Sequence, residues 1–205
     1  MDPPRILLIT ATDVVPEPRL LARLEQAAAL PTEVRRHLAV QLRDPHLSGR
    51  DLWALATLLR ARTTALGISL IINDRLDVAC AVQADGVHLG RRSATPGDAR
   101  ALLGESTWIS VTAHSTEEVA TAAIRRPDAV VLSPICASPG KTTPLGLDAL
   151  RRARQILEQQ SPRPHLIALG GIDPTNARQA LQAGADAVAT IRANLFTDAP
   201  SLLDH

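Results

Sequence analysis

Eight short apolar runs, at residues 5–10, 38–42, 68–72, 86–89, 108–111, 129–132, 165–168 and 187–191, alternate with longer segments of mixed polarity. Runs of this length predict parallel strands buried on both faces. The segments between them predict helices, among them 19–30, 49–65, 147–159 and 175–183. In the second of these, Leu52, Leu55, Ala56 and Leu59 share one face. Strands alternating with helices imply parallel pairing through right-handed crossovers. Eight such units in 205 residues predict an α/β chain forming one domain, 1–205, a compact (β/α)8 TIM barrel. The structural alternative is an open doubly wound sheet. That fold expects a glycine-rich turn after its first strand, and Ile9-Thr10-Ala11-Thr12-Asp13 contains no glycine.

Several helix ends are readable. Ser115-Thr116-Glu117-Glu118 predicts an N-cap followed by acidic first-turn residues. Asp173-Pro174 predicts a capping Asp before a proline at the first helical position. Gly184 marks the stop of the helix at 175–183.

Composition narrows the function. Apolar residues make up 45% of the chain but aromatics only 1%, namely Trp53, Trp108 and Phe196. The core is therefore packed with Leu, Ile, Val and Ala, and base stacking on aromatic platforms is disfavoured. A net charge of +1 argues against a nucleic-acid partner. Cys80 lies in an apolar helical run and is expected in the core. Cys136 is expected to act as a small apolar residue, and neither a disulfide framework nor a zinc site is indicated. The first residues lack a signal-peptide layout, and no apolar run is long enough to span a bilayer. A soluble, cytoplasmic protein without a membrane partner is expected, and the sequence leaves room for a homo-oligomer.

In a barrel the C-terminal strand ends converge on one face. The third strand stops on Asn73-Asp74-Arg75, and the fourth ends in His88-Leu89-Gly90. Alternation directs Gln41 and Arg43 to the same side of the second. The fifth supplies Thr112 and His114, of which His114 is expected simply to flank a helix. The hydroxyl-rich loop after the sixth runs from Ser133 to Thr143 and holds Lys141, the one lysine among 22 Lys and Arg residues. A lone lysine there suits a phosphate contact. Gly170-Gly171 after the seventh strand, with the amides around Arg192 after the eighth, predict a phosphate cradle. Arg43, Asn73 and Lys141 form a second anion-binding cluster, where Asp74 could hold a divalent cation. Two phosphorylated small-molecule substrates fit this set, one of them as a magnesium diphosphate complex.

These segments together resemble the thiamine phosphate synthase and thiazole tautomerase (TenI) superfamily. The resemblance rests on Gln41-Leu42-Arg43, Ile72-Asn73-Asp74-Arg75, Ala84 to Gly90, Thr112-Ala113-His114-Ser115, Ser133-Pro134-Ile135, Ala168-Leu169-Gly170-Gly171-Ile172 and Gly184-Ala185-Asp186. It implies a (β/α)8 barrel that joins hydroxymethylpyrimidine diphosphate to thiazole phosphate with release of diphosphate. It further implies that Gln41, Arg43 and Asn73 contact the pyrimidine diphosphate, that Lys141 contacts its diphosphate, and that Asp74 ligates Mg2+. Thr112 stands where the family usually has Ser, close to the leaving group. Ser138 matches one loop hydroxyl, and Gly171, Ile191 and Arg192 fall at the thiazole phosphate. Arg43, Lys141 and Thr112 are the implied catalytic residues.

Five positions depart from the synthase pattern. Pro45 replaces a lysine, and Ser93, after Arg91-Arg92, replaces the second metal-binding Asp. Gly140 replaces a threonine, and Arg192 a serine. Thr112 is the fifth. Pro134 stands where the tautomerase branch carries its catalytic His, which favours the synthase branch. The alternatives are a phosphate-ligand binder or regulator without turnover, or a barrel enzyme acting on another phosphorylated metabolite.

Overall fold

In a computed structural model describing residues 2–138, 140 and 143–203, eight parallel strands close into a barrel in chain order, β1 pairing with both β2 and β8. The strands are β1 (Ile6–Ile9), β2 (Leu38–Leu42), β3 (Ser69–Asn73), β4 (Gly86–Leu89), β5 (Trp108–Ala113), β6 (Ala129–Leu132), β7 (His165–Leu169) and β8 (Ala187–Thr190). Around them run α1 (Glu17–Ala27), α2 (Thr32–Arg35), α3 (Gly49–Leu66), α4 (Leu76–Ala81), α5 (Pro96–Leu103), α6 (Thr116–Ala123), α7 (Leu147–Leu157), α8 (Ala177–Gln182) and α9 (Ala199–Leu203). The barrel expected from the alternation is the fold observed.

Alternate strand residues serve two cores. Leu7, Ile9, Ala39, Ile71, Trp108, Val131, Ile167 and Ala189 pack together inside the barrel. Their neighbours, such as Leu8, Val40, Ile72 and Val87, pack outward against helix residues including Leu20, Leu55 and Leu59. Continuing the inward register to the C-terminal ends brings up Gln41, Asn73, His88 and Thr112. The barrel alternation therefore converts an apolar filling into a polar rim.

At the opposite end one clamp repeats three times. Asp85, Asp128 and Asp186 each precede an even-numbered strand. Each accepts the N–H of the second residue of the strand before it, from Leu70 at 2.7 Å, Ile109 at 2.7 Å and Leu166 at 2.8 Å. Each also takes an arginine from the helix that leads into that earlier strand: Arg60 of α3 at 2.9 Å, Arg100 of α5 at 3.0 Å and Arg154 of α7 at 2.7 Å. Asp186 receives Arg163 as well. The Ala84-Asp85 and Ala185-Asp186 segments are thus structural ties, remote from the polar rim.

Helix starts follow local chemistry. Ser115 caps α6 by accepting the Glu118 N–H at 3.2 Å, as its sequence predicts. The α8 start is two residues later than expected. Asp173 accepts both the N–H and the hydroxyl of Thr175, at 2.8 and 2.6 Å, and this local turn consumes residues 174–176. Helix α1 begins two residues earlier than expected because Pro18 tolerates the first turn, where an N–H has no helical partner. Cys80 is corrected from core to exposed. Helix α4 is only six residues long and buries Val78 and Ala79, leaving the next position facing outward. Cys136 is partly buried, and burial raises its thiol pKa.

Candidate active site

The strand ends surround a cavity of about 650 Å3. Among the expected site residues, Gln41, Arg43, Asn73, Asp74, Thr112, Ser138, Ile191 and Arg192 all line it. Gly171 lines an adjoining cleft of about 200 Å3 that shares Ser138, Gly170, Ile191 and Arg192 with the main cavity. Lys141 lies outside the described residues.

One wall is an amide pair. Gln41 Nε2 donates to Asn73 Oδ1 at 3.3 Å. Gln41 is 2% exposed, and its Oε1 has no hydrogen-bond partner among the described residues. A buried carbonyl without a donor is costly, so this oxygen has an unmet acceptor capacity. Arg43, just beyond the end of β2, is exposed and lines the cavity.

The backbone below Arg43 is anchored by a residue that sequence reasoning overlooked. Asp44, buried on the outward side, accepts from the hydroxyls of Thr10 and Thr12 and from the Thr12 N–H. Thr10 Oγ1 in turn accepts the Arg43 N–H at 2.9 Å. The loops after β1 and β2 are thereby tied together. The available signal was a carboxylate placed one residue beyond the inward-facing Arg43, in the buried register.

His88 sits deeper, with Nδ1 2.9 Å from the hydroxyl of the fully buried Ser110. Burial lowers its pKa to about 4; the charge of Arg43 works the same way, and that of Asp74 opposes it. The ring is neutral near pH 7. His114 does more than flank a helix. Its N–H caps toward Glu118 at 2.8 Å, while its ring lines the cavity and donates from Nδ1 to the Ser133 carbonyl at 2.8 Å.

Asp74 occupies a left-handed turn, φ 64°, closed by its N–H to the His88 carbonyl at 2.8 Å. The triplet it belongs to divides. Asn73 and Asp74 face the cavity, whereas Arg75 turns away to pair with Asp77 at 2.6 Å. Across from Asp74, Ser93 accepts the Gly90 N–H at 2.7 Å. No cluster of three or more His, Cys, Asp or Glu residues suited to a metal exists among the described residues. Asp74 and Asp13 are the carboxylates that line the cavity, and one or two carboxylates fit magnesium held jointly with ligand oxygens and water, which is a usual mode for that ion. Arg91 and Arg92 also line the cavity. Arg91 reaches Glu118 at 3.4 Å, and Arg92 has no ion pair among the described residues.

The opposite wall is backbone. Ile135 and Cys136 donate their N–H groups to the carbonyls of Leu169 and Gly170, at 2.9 and 2.8 Å, lacing the loop after β6 onto the end of β7. The approach requires glycine. A Cβ on Gly171, at φ 64°, would stand 2.3 Å from the Ala137 oxygen. Behind the adjoining loop at Ile191 and Arg192 lies Arg23 of α1, 6% exposed, whose Nη1 donates to the Ile191 carbonyl at 3.1 Å and whose Nη2 donates to the Arg192 carbonyl. This residue too was overlooked, although Leu20, Arg23, Leu24 and Ala27 form one buried stripe in which only Arg23 is charged.

The site therefore offers an amide and arginine wall, the Asp74 carboxylate and an adjoining glycine-lined cleft. Residues 6–193 match the family model described as thiamine monophosphate synthase. A thiamine-phosphate synthase of Albidiferax ferrireducens is 41% identical over 157 residues, which cover 75% of this chain and 69% of that protein. One of Gloeobacter violaceus is 34% identical over 198 residues, or 96% of this chain, and the chain spans about half of that relative, 54%. In structure, the chain is similar to thiamine phosphate pyrophosphorylase from Pyrococcus furiosus, with a TM-score of 0.77, 25% identity and coverage of 97% of this chain and 93% of that one. The chain belongs to the thiamine monophosphate synthase family.

Proposed function

We propose that the chain is a thiamine phosphate synthase, a transferase that joins hydroxymethylpyrimidine diphosphate to thiazole phosphate. The observation that carries this reading is the unpartnered Gln41 Oε1 beside Arg43, facing across one cavity to the cleft at Gly171. The first wall suits a heterocycle with an N–H donor and a diphosphate. The cleft suits a phosphate monoester on backbone N–H groups.

The reaction breaks the bond between the pyrimidine methylene and the diphosphate oxygen, and the electron pair leaves with the diphosphate. The thiazole nitrogen lone pair then forms the new C–N bond to the methylene cation. Arg43 and Arg92 hold the departing charge, which is electrostatic rather than covalent catalysis. Thr112 stands on the inward face of β5 beside this region. The neutral His88 adds no positive charge next to the developing cation. Asp74 would hold magnesium together with the diphosphate, and bound magnesium neutralises leaving-group charge. Ser138 and Arg192 border the thiazole phosphate, and the apolar faces of Ile9, Val131, Leu169 and Ile191 exclude water from the cation.

Incubating the protein with both substrates and magnesium should yield thiamine phosphate, with Arg43→Ala strongly impaired. Formation no faster than with Arg43→Ala overturns the reading. Ser93 and Pro45 specifically favour one second reading, a binder that kept the cavity and lost turnover. A melting-temperature rise with thiamine phosphate but no product would select it.

A further inference from the structure

Arg23 is a charged residue in an apolar stripe. Leu20, Leu24 and Ala27 pack beside it in the helix-facing core. Among the described residues no carboxylate pairs with its guanidinium. Its hydrogen bonds run instead to two consecutive carbonyls, Ile191 and Arg192, immediately after β8. Burial lowers its pKa and so does neighbouring Arg19, with no opposing carboxylate. A buried cation left without an anion is unfavourable. Its position is therefore informative about what completes the charge balance.

Peptide planarity supplies the geometry. In a trans peptide the carbonyl of one residue and the N–H of the next point in opposite directions. Arg23 draws the Ile191 carbonyl back toward α1, which aims the Arg192 N–H forward, on the side of the cleft. The next N–H, that of Ala193, is used within the loop, donating to the Thr190 hydroxyl at 3.1 Å, so the Arg192 N–H is the one left for the cleft. One turn along α1, Gln26 Oε1 accepts from Asn194 Nδ2 at 2.7 Å, so a single helix braces residues 191–194.

We infer that Arg23 is a positioning residue for anion binding in the cleft at Gly171, Ile191 and Arg192: it aims the Arg192 N–H at a phosphate monoester and places a fixed positive charge behind it. The inference rests on the reading that thiazole phosphate occupies this cleft. Arg23 is on the far side of the loop and does not touch the substrate. Its removal acts through the backbone and through the field.

Steady-state kinetics of Arg23→Gln and Arg23→Lys test it. Arg23→Gln should raise KM for thiazole phosphate about tenfold or more, with KM for the pyrimidine diphosphate within about twofold of wild type. Arg23→Lys keeps the charge and loses the two-pronged grip, so it should fall between them, and it serves if the glutamine variant does not fold. Equal KM values for thiazole phosphate across folded variants overturn the proposal, as does a parallel rise in both KM values. Titration with inorganic phosphate, followed by the amide resonances of Gly171 and Arg192, separates this from the assigned reaction. If the wild type forms no thiamine phosphate, the synthase reading fails. Arg23 is then upheld when phosphate moves those resonances in wild type and not in Arg23→Gln, and refuted when both proteins respond alike or neither responds.

Discussion

Gln41 and Asn73, on neighbouring strands, share one hydrogen bond that uses the Gln41 amide nitrogen and leaves its buried carbonyl oxygen without a partner among the described residues. Gln41→Leu keeps the bulk and removes the acceptor. The expected outcome is a KM for the pyrimidine diphosphate raised by about tenfold, from the loss of one ligand hydrogen bond. KM for thiazole phosphate should stay near wild type, since Gln41 is on the opposite wall. Varying each substrate separately checks this.

Asp44 satisfies three donors from Thr10 and Thr12. Asp44→Ala leaves them without that acceptor in a buried setting, and a loss of about 1–3 kcal/mol is expected. Because Thr10 also holds the Arg43 N–H, kcat should fall beyond what the stability change explains. Urea unfolding and kinetics on the same preparation, at a temperature where both proteins are folded, measure the two effects.

The barrel could be read because parallel strands buried on both faces are apolar without interruption, and helices fill the gaps between them. Strand ends shifted where polar residues stay in the ladder. Asn73 pairs with His88, and Thr112 with Val131, so both remain strand residues although neither is apolar. The polar rim was readable for the same reason that it exists, since alternation places Gln41 and Arg43 inward together. Two supports, Asp44 and Arg23, escaped because each lies in the register of the outer core and reaches the site through backbone atoms. Cys80 misled because a six-residue helix buries too narrow a face for an apolar neighbour to be informative.

Ser93 and Asp74 line the same cavity. Ser93→Asp adds a second hard oxygen ligand there, and magnesium affinity follows ligand charge. The magnesium concentration giving half-maximal rate should fall by about tenfold in the variant. Asp74→Asn should move it the other way. A magnesium titration at saturating substrates reads both, and unchanged midpoints would place the metal elsewhere.

The Asp186 clamp makes a prediction about acid. Burial alone would raise this carboxyl, but hydrogen bonds from Arg163, the Leu166 N–H and Arg154 outweigh it and hold its pKa at about 2, below the ordinary 3.8. A folded-state pKa below the unfolded one stabilises the protein above the unfolded value, and that contribution is lost as pH falls. It should amount to something on the order of 2 kcal/mol, complete above about pH 5 and lost between about pH 4 and pH 2. Asp186→Asn removes the charge at every pH. The variant should melt below wild type at pH 6, and the gap should narrow steadily through the acid window. A gap that stays constant from pH 6 to pH 2.5 would mean that the carboxylate charge contributes nothing and that the loss is one of packing.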